Sequence, residues 1–239
     1  MSVRMPRRWV KWVVGAVVVV AALAVGGPFL YIHFFNGSAP PTLSLSSPTA
    51  SATSGGGSPA TTTATSVAGT WTVGSGSTVG YRVNEVLLGQ SATAVGRSDS
   101  VTGHITIQGT TASAATFSVP MATVVSDKSQ RNAQFDGRIM DVSSYPTGTL
   151  TLTKPIALGT LPAVGVIKSY SATGNLTLHG RTRSVTFTLN AERTGTAIEV
   201  QGSIPVLFSD WGISNPSIGG FVTTQDHGLL EFLLVARKG

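Results

Sequence analysis

The chain has no cysteine in its 239 residues. That excludes disulfides, thiolate metal sites, cysteine nucleophiles and CxxC redox chemistry. It does not fix a compartment, because a disulfide-free protein can work on either side of a membrane. Charge is also scarce, at 11% of residues, and no acidic residue precedes Glu85. Four of the sixteen basic residues, Arg4, Arg7, Arg8 and Lys11, stand together at the start. From Val67 onward, 12 basic residues face 10 acidic ones without any Lys/Arg-rich run. The net charge of +6 therefore reflects the leading cluster and does not mark a nucleic-acid partner.

Catalytic spacings are missing as well. The four histidines, His33, His104, His179 and His227, form no HxH, HxxxH or HExxH pattern, so a metal site has no support. Ser209-Asp210 and His227 supply the residue types of a triad, but no G-x-S-x-G elbow accompanies them. Gly74-Ser75-Gly76 with Gly80 gives G-x-G-x-x-x-G rather than the dinucleotide spacing, and no helical pattern follows. No fixed-period repeat is present, which argues against a solenoid or propeller. The expectation is a protein that is not an enzyme and requires no cofactor.

What is present falls into zones. Residues 13–32 carry no charge and are dominated by Val, Ala and Leu. Such a run reaches about 30 Å as a helix, the thickness of a hydrocarbon core. Trp9, Trp12 and Tyr31 stand near its ends, where amphipathic rings suit the headgroup zone. The preceding basic cluster keeps residues 1–12 in the cytoplasm and directs everything beyond residue 35 outward. We therefore expect a cytoplasmic tail over 1–12 and a membrane anchor over 13–35. A cleaved signal peptide is the competing reading, since Ala22-Leu23-Ala24 fits a small-x-small cleavage site. The apolar stretch, however, continues past that site to Phe35.

Residues 36–66 consist of Ser, Thr, Ala, Pro and Gly with a few apolar residues and no charge. Such a segment cannot offset the entropy of ordering itself, and is expected to be a disordered linker. Its reach is roughly 30 Å as a coil or about 90 Å fully extended. Residues 67–239 are large enough for one sizeable core. They alternate apolar and polar residues in eight stretches: 79–83, 101–107, 115–119, 150–152, 170–178, 185–191, 198–204 and 232–234. Short period-two runs between turn residues predict an all-β barrel or sandwich.

Two segments break the pattern. Residues 126–142 are the most charged of the chain and predict one or two short helices. Ser126 or Asp127 is the expected cap, with Ala133 and Phe135 on the buried side. Residues 84–95 are expected to form an irregular lid. Several inward-pattern positions are small: Gly103, Ala115, Ala172, Gly174, Ala191 and Gly202. They leave a channel or simply let a barrel close; the sequence supports both readings.

Residues 175–187, NLTLHGRTRSVTF, predict a hairpin with its turn at His179-Gly180. This stretch resembles the signature of the YceI-like family, in Leu176, Thr177, Leu178, His179, Gly180, Thr182 and Arg183. The resemblance extends to Trp71, to SVPMATVVSDKSQR at 118–131, to Asp141-Val142 with Tyr145-Pro146-Thr147, to Ser209-Asp210-Trp211-Gly212-Ile213 and to the closing LLEFLLVARK. Asn132 departs from it where the family usually has Asp, and Gly148-Thr149-Leu150 replaces a bulkier run.

The resemblance implies an eight-stranded antiparallel, lipocalin-like barrel with one or two short helices, exported, holding a polyisoprenoid chain. The expected lining is Tyr81, Val83, Ile105, Ile107, Phe117, Val119, Leu150, Leu152, Tyr170, Leu176, Leu178, Phe187, Leu189, Val200 and Phe232. Candidate head-group contacts are Arg131, His179 and Arg183; the last two equally read as a solvated turn. The expected partners are an isoprenoid lipid or isoprenoid quinone and the cytoplasmic membrane, with a homodimer as one possible assembly. The competing reading is a non-lipid interaction module with a barrel filled by side chains, or an accessory to a quinone-dependent membrane process.

Overall fold

The computed structural model describes residues 39–45, 66–220 and 222–239, together with Val17 and Val20. The expected cytoplasmic tail, the anchor apart from those two valines, and most of the linker lie outside the described residues. Among the described residues no helix is long and apolar enough to cross a membrane.

Thirteen strands among the described residues make one sheet, antiparallel throughout. They are β1 (Gly69–Val73), β2 (Thr78–Leu87), β3 (Gln90–Ser98), β4 (Thr102–Gln108), β5 (Thr111–Pro120), β6 (Val125–Ser126), β7 (Thr147–Leu152), β8 (Ile156–Ala157), β9 (Lys168–Leu178), β10 (Arg181–Arg193), β11 (Ala197–Leu207), β12 (Val222–Thr224) and β13 (His227–Lys238). Eight of them close a ring in the order β1, β4, β5, β7, β9, β10, β11, β13 and back to β1. Strand β13 serves two neighbours on one edge: its residues 236–238 pair with β1 and its residues 229–233 with β2. Strands β2 and β3 thus extend the wall beyond the short β1.

The β9–β10 hairpin forms as its sequence requires. Its two turn residues, His179 and Gly180, have φ of 47° and 70°. A two-residue turn with both φ positive matches the right-handed twist of the flanking strands. Glycine is needed at 180 for a second reason: a Cβ there would lie 2.4 Å from the Tyr145 ring.

A second turn of this kind, Leu88-Gly89, has φ of 50° and 80° and joins β2 to β3. This corrects the expectation of an irregular lid over 84–95. The strand escaped notice because its inward positions, Ala92, Ala94 and Gly96, are too small to give an apolar alternation. The Tyr81 ring supplies the missing bulk. It occupies the space a Gly96 side chain would need, 2.3 Å from the ideal Cβ position.

The charged segment does form a short helix, α1 (Ser129–Gln134), followed by a π-helical turn, Phe135–Ile139. Neither expected cap operates: Lys128 precedes the helix with no side-chain cap. Instead Oδ1 of the Asn132 side chain accepts from the Ser126 backbone N–H and hydroxyl, both at 2.8 Å. An amide there serves as the acceptor without any salt bridge. Phe135 is buried as expected, whereas Ala133 is exposed.

Candidate functional site: an apolar cavity along the barrel axis

The ring of strands encloses a cavity of about 960 Å³. This is at the upper end of the range for small-molecule sites, roughly 300–1,000 Å³. All fifteen lining residues expected from the alternation border it. So do Val79, Ile198, Ile204, Leu230 and Leu234, which follow the same period on the same strands. Phe135, Leu158, Leu161 and Ile218 border it too, and lie outside the strands, where no periodic signal marks them.

The small inward residues divide between the two readings. Gly103 and Gly202 leave no space. A Cβ at Gly103 would fall 2.7 Å from the Phe117 ring, and one at Gly202 would fall 2.6 Å from the Phe232 ring. These glycines let aromatic rings lie against the wall. Ala115, Ala172, Gly174 and Ala191 border the cavity and widen it. Gly148, where the run is less bulky, is crowded by the Met121 sulfur and the Leu178 side chain, 3.1 and 3.2 Å from its ideal Cβ.

Most charged residues that border the cavity stand toward its ends; Glu231, midway along β13, borders it as well. At the helical end, Arg131 Nη2 lies 3.4 Å from Glu85 Oε1, and Nη1 donates to Asp127 Oδ1 at 2.5 Å. The Tyr81 ring lies beside this group. Burial pushes the Tyr81 hydroxyl up to about 12, opposed in part by the Arg131 charge. It therefore stays protonated beside this charged group. At the other end Glu192, Arg193 and Ile198 border the cavity with Leu158 and Leu161.

Of the three candidate head-group residues, only Arg131 borders the cavity. His179 packs edge-on against Tyr145, with ring centroids 4.6 Å apart, and its Nδ1 is 3.2 Å from the Trp211 carbonyl. Arg183 shares a face with Leu176 by register, yet its Nε donates to the Asp210 carbonyl at 3.1 Å. The cause is a gap in the wall. Strand β10 pairs with β11 only over 189–193, and the 3-10 turn Phe208–Trp211 lies beside the unpaired part. Buried Trp211, whose Nε1 points to the Leu176 carbonyl at 3.5 Å, separates Arg183 from the interior. Among the described residues no group of three or more His, Asp or Glu side chains could hold a metal ion.

A closed antiparallel barrel with an apolar space along its axis defines the lipocalin-like class of interior-binding barrels. Within that class the chain belongs to the YceI-like domain family, whose model matches residues 71–236. Among solved structures it is similar to a polyisoprenoid-binding domain from Saccharophagus degradans implicated in plant cell wall breakdown. That likeness has a TM-score of 0.59 at 16% identity and covers 72% of this chain and 99% of that one. It is also similar to Burkholderia cenocepacia BcnA, with a TM-score of 0.51 at 22% identity over 65% of this chain and 95% of that one. At these identities the likeness concerns the fold. No curated protein matches the chain.

Proposed function

We propose that the protein is an extracytoplasmic binding protein that holds or shuttles an isoprenoid lipid or quinone inside its barrel, tethered to the outer face of the cytoplasmic membrane. The observation that carries this reading is the apolar cavity bordered by Arg131 and Phe135 at one end and by Leu158 and Leu161 at the other. Burying one five-carbon unit is worth roughly 3–4 kcal/mol before costs. A few units exceed the several kcal/mol lost on association, so affinity needs no strong polar contact. The Saccharophagus domain, described as polyisoprenoid-binding, supports the same ligand class.

The polar end favours an uncharged head. Arg131 already faces two carboxylates, Glu85 and Asp127, which offset its charge. A phosphate would meet those carboxylates; a quinone carbonyl or an alcohol would meet the protonated Tyr81 hydroxyl. The membrane reading rests on the apolar run at 13–35 and on an exposed apolar tip. Val86 and Leu88 are exposed on either side of cavity-lining Leu87.

The test is native mass spectrometry of the exported full chain in mild detergent, followed by solvent extraction. A stoichiometric isoprenoid lipid or quinone is expected, and the same spectrum reports whether the protein is a homodimer. A barrel that emerges empty and takes up no added isoprenoid overturns the reading.

A further inference from the structure

The outer wall of the barrel carries a feature that lipid binding does not use. Glu231 on β13 lies opposite Gly80 on β2, and Gly80 lies opposite Arg97 on β3. By strand alternation the three form a row on the face opposite Tyr81, Leu230 and Phe232, although Gly80 and Glu231 also border the cavity. Gly80 has no side chain, so the groups on either side meet over it; a Cβ there would fall 1.9 Å from the Gly96 carbonyl oxygen. Glu231 is only 4% exposed. One of its oxygens accepts from Arg82 Nε at 2.9 Å and the other from Arg97 Nη2. A buried carboxylate thus fixes two guanidinium groups side by side.

Those guanidinium groups hold a piece of the same chain. Arg82 Nη2 donates to the Pro40 carbonyl at 2.7 Å, and Arg97 Nη2 points to the Pro41 carbonyl at 3.5 Å. The chemistry is matched. The clamp offers donors only, and consecutive prolines offer carbonyl acceptors with no N–H. After the prolines the segment alternates: Thr42 and Ser44 are exposed, Leu43 is half-buried and Leu45 is buried. Val95 and Val235, on the outward face of β3 and β13, are buried although they point away from the cavity. Arg97 Nη1 is buried with no acceptor among the described residues, leaving its two N–H donors unspent.

We propose that Arg82, Arg97 and Glu231 form a second binding site, a clamp for an extended proline-containing apolar segment, occupied in cis by residues 39–45. The stretch expected to be a featureless tether is then pinned near its start. Where the anchor reading holds, only residues 36–38 separate the bilayer from the pinned segment, a reach of about 10 Å. Released, the whole linker reaches about 90 Å. The clamp sets how close the barrel sits to the membrane that supplies its ligand. The clamp itself depends on neither the anchor nor the lipid.

The absence of cysteine permits a direct test in the full chain in mild detergent. Spin labels at Ser44→Cys and Ser91→Cys, both exposed positions, report the distance from strap to wall. A single narrow distance is expected, unchanged by excess unlabelled chain. Leu43→Ser with Leu45→Ser should broaden it while leaving the extracted lipid unchanged, since neither residue borders the cavity. A broad distribution in the unsubstituted chain overturns the proposal. So does a narrow one lost on mixing with unlabelled chain, because the strap then sits on a second copy. An empty barrel with an intact narrow distance would remove the lipid reading and leave the clamp standing.

Discussion

The Tyr81 and Phe135 rings lie nearly parallel, 12° apart, with centroids separated by 5.2 Å. One ring comes from the wall and the other from the π-helical turn after α1. This stack joins the helical segment to the barrel. Phe135 is buried, and with Met140 it belongs to the hydrophobic core, against which Ile139 and Val142 also pack. Phe135→Ala should destabilise the protein by about 3–5 kcal/mol, the usual cost of removing a buried ring. It should also speed release of a bound isoprenoid severalfold, because the segment then closes the cavity less firmly. Thermal denaturation and a dilution-triggered release assay check the two effects. Unchanged release would mean that the helical end is not a route for the ligand.

Tyr81 also predicts a response to alkali. Its hydroxyl ordinarily titrates at 10.0 and is raised to about 12 by burial, so the folded state holds the proton over a range where the unfolded chain loses it. The stabilisation is fully present below pH 10 and is lost as pH rises towards 12. A shift of this size corresponds to about 2–3 kcal/mol. Denaturant titrations at pH 9 and pH 11.5 should therefore show a larger loss for the native chain than for Tyr81→Phe. Equal losses would show that this hydroxyl is hydrated in the folded state.

The barrel was legible because its inner face is written in large residues at period two, as in Leu176, Leu178, Phe187 and Leu189. Strand β3 was not, because Ala92, Ala94 and Gly96 leave their bulk to Tyr81 on the neighbouring strand. The lining loops were hidden for a similar reason: Leu158 and Ile218 belong to no repeat. The turn residues were open in another way. His179 and Arg183 read equally as a polar mouth or as a solvated turn in one dimension, and only the packing of Trp211 beside Arg183 and of Tyr145 against His179 shows what they touch. The clamp was invisible because Arg82, Arg97 and Glu231 are brought together by strand register alone.

His179 should behave as a structural residue. It holds a positive φ, which costs a non-glycine residue roughly 1–2 kcal/mol, and its ring contacts Tyr145. His179→Gly should lose the ring contact but relieve the backbone, leaving stability within about 1 kcal/mol of the native chain. His179→Val should cost more, since a β-branched residue tolerates that conformation poorly. Neither should alter the amount of lipid extracted. Loss of lipid from the stable glycine variant would return His179 to the binding site.

Leu189 offers the sharpest test of the cavity itself. It faces Gly202 across the β10–β11 pair, and the space above Gly202 is already taken by the Phe232 ring. Phe232 is in turn held edge-on by Phe187, with centroids 5.9 Å apart. A tryptophan at 189 therefore has one direction to grow, into the cavity. Filling empty apolar space costs little, so Leu189→Trp should melt within a few degrees of the native chain. The bound isoprenoid should become shorter or disappear, read by mass spectrometry of the extract. A variant that folds normally and carries the same chain at the same stoichiometry would mean that the ligand does not pass this level of the barrel.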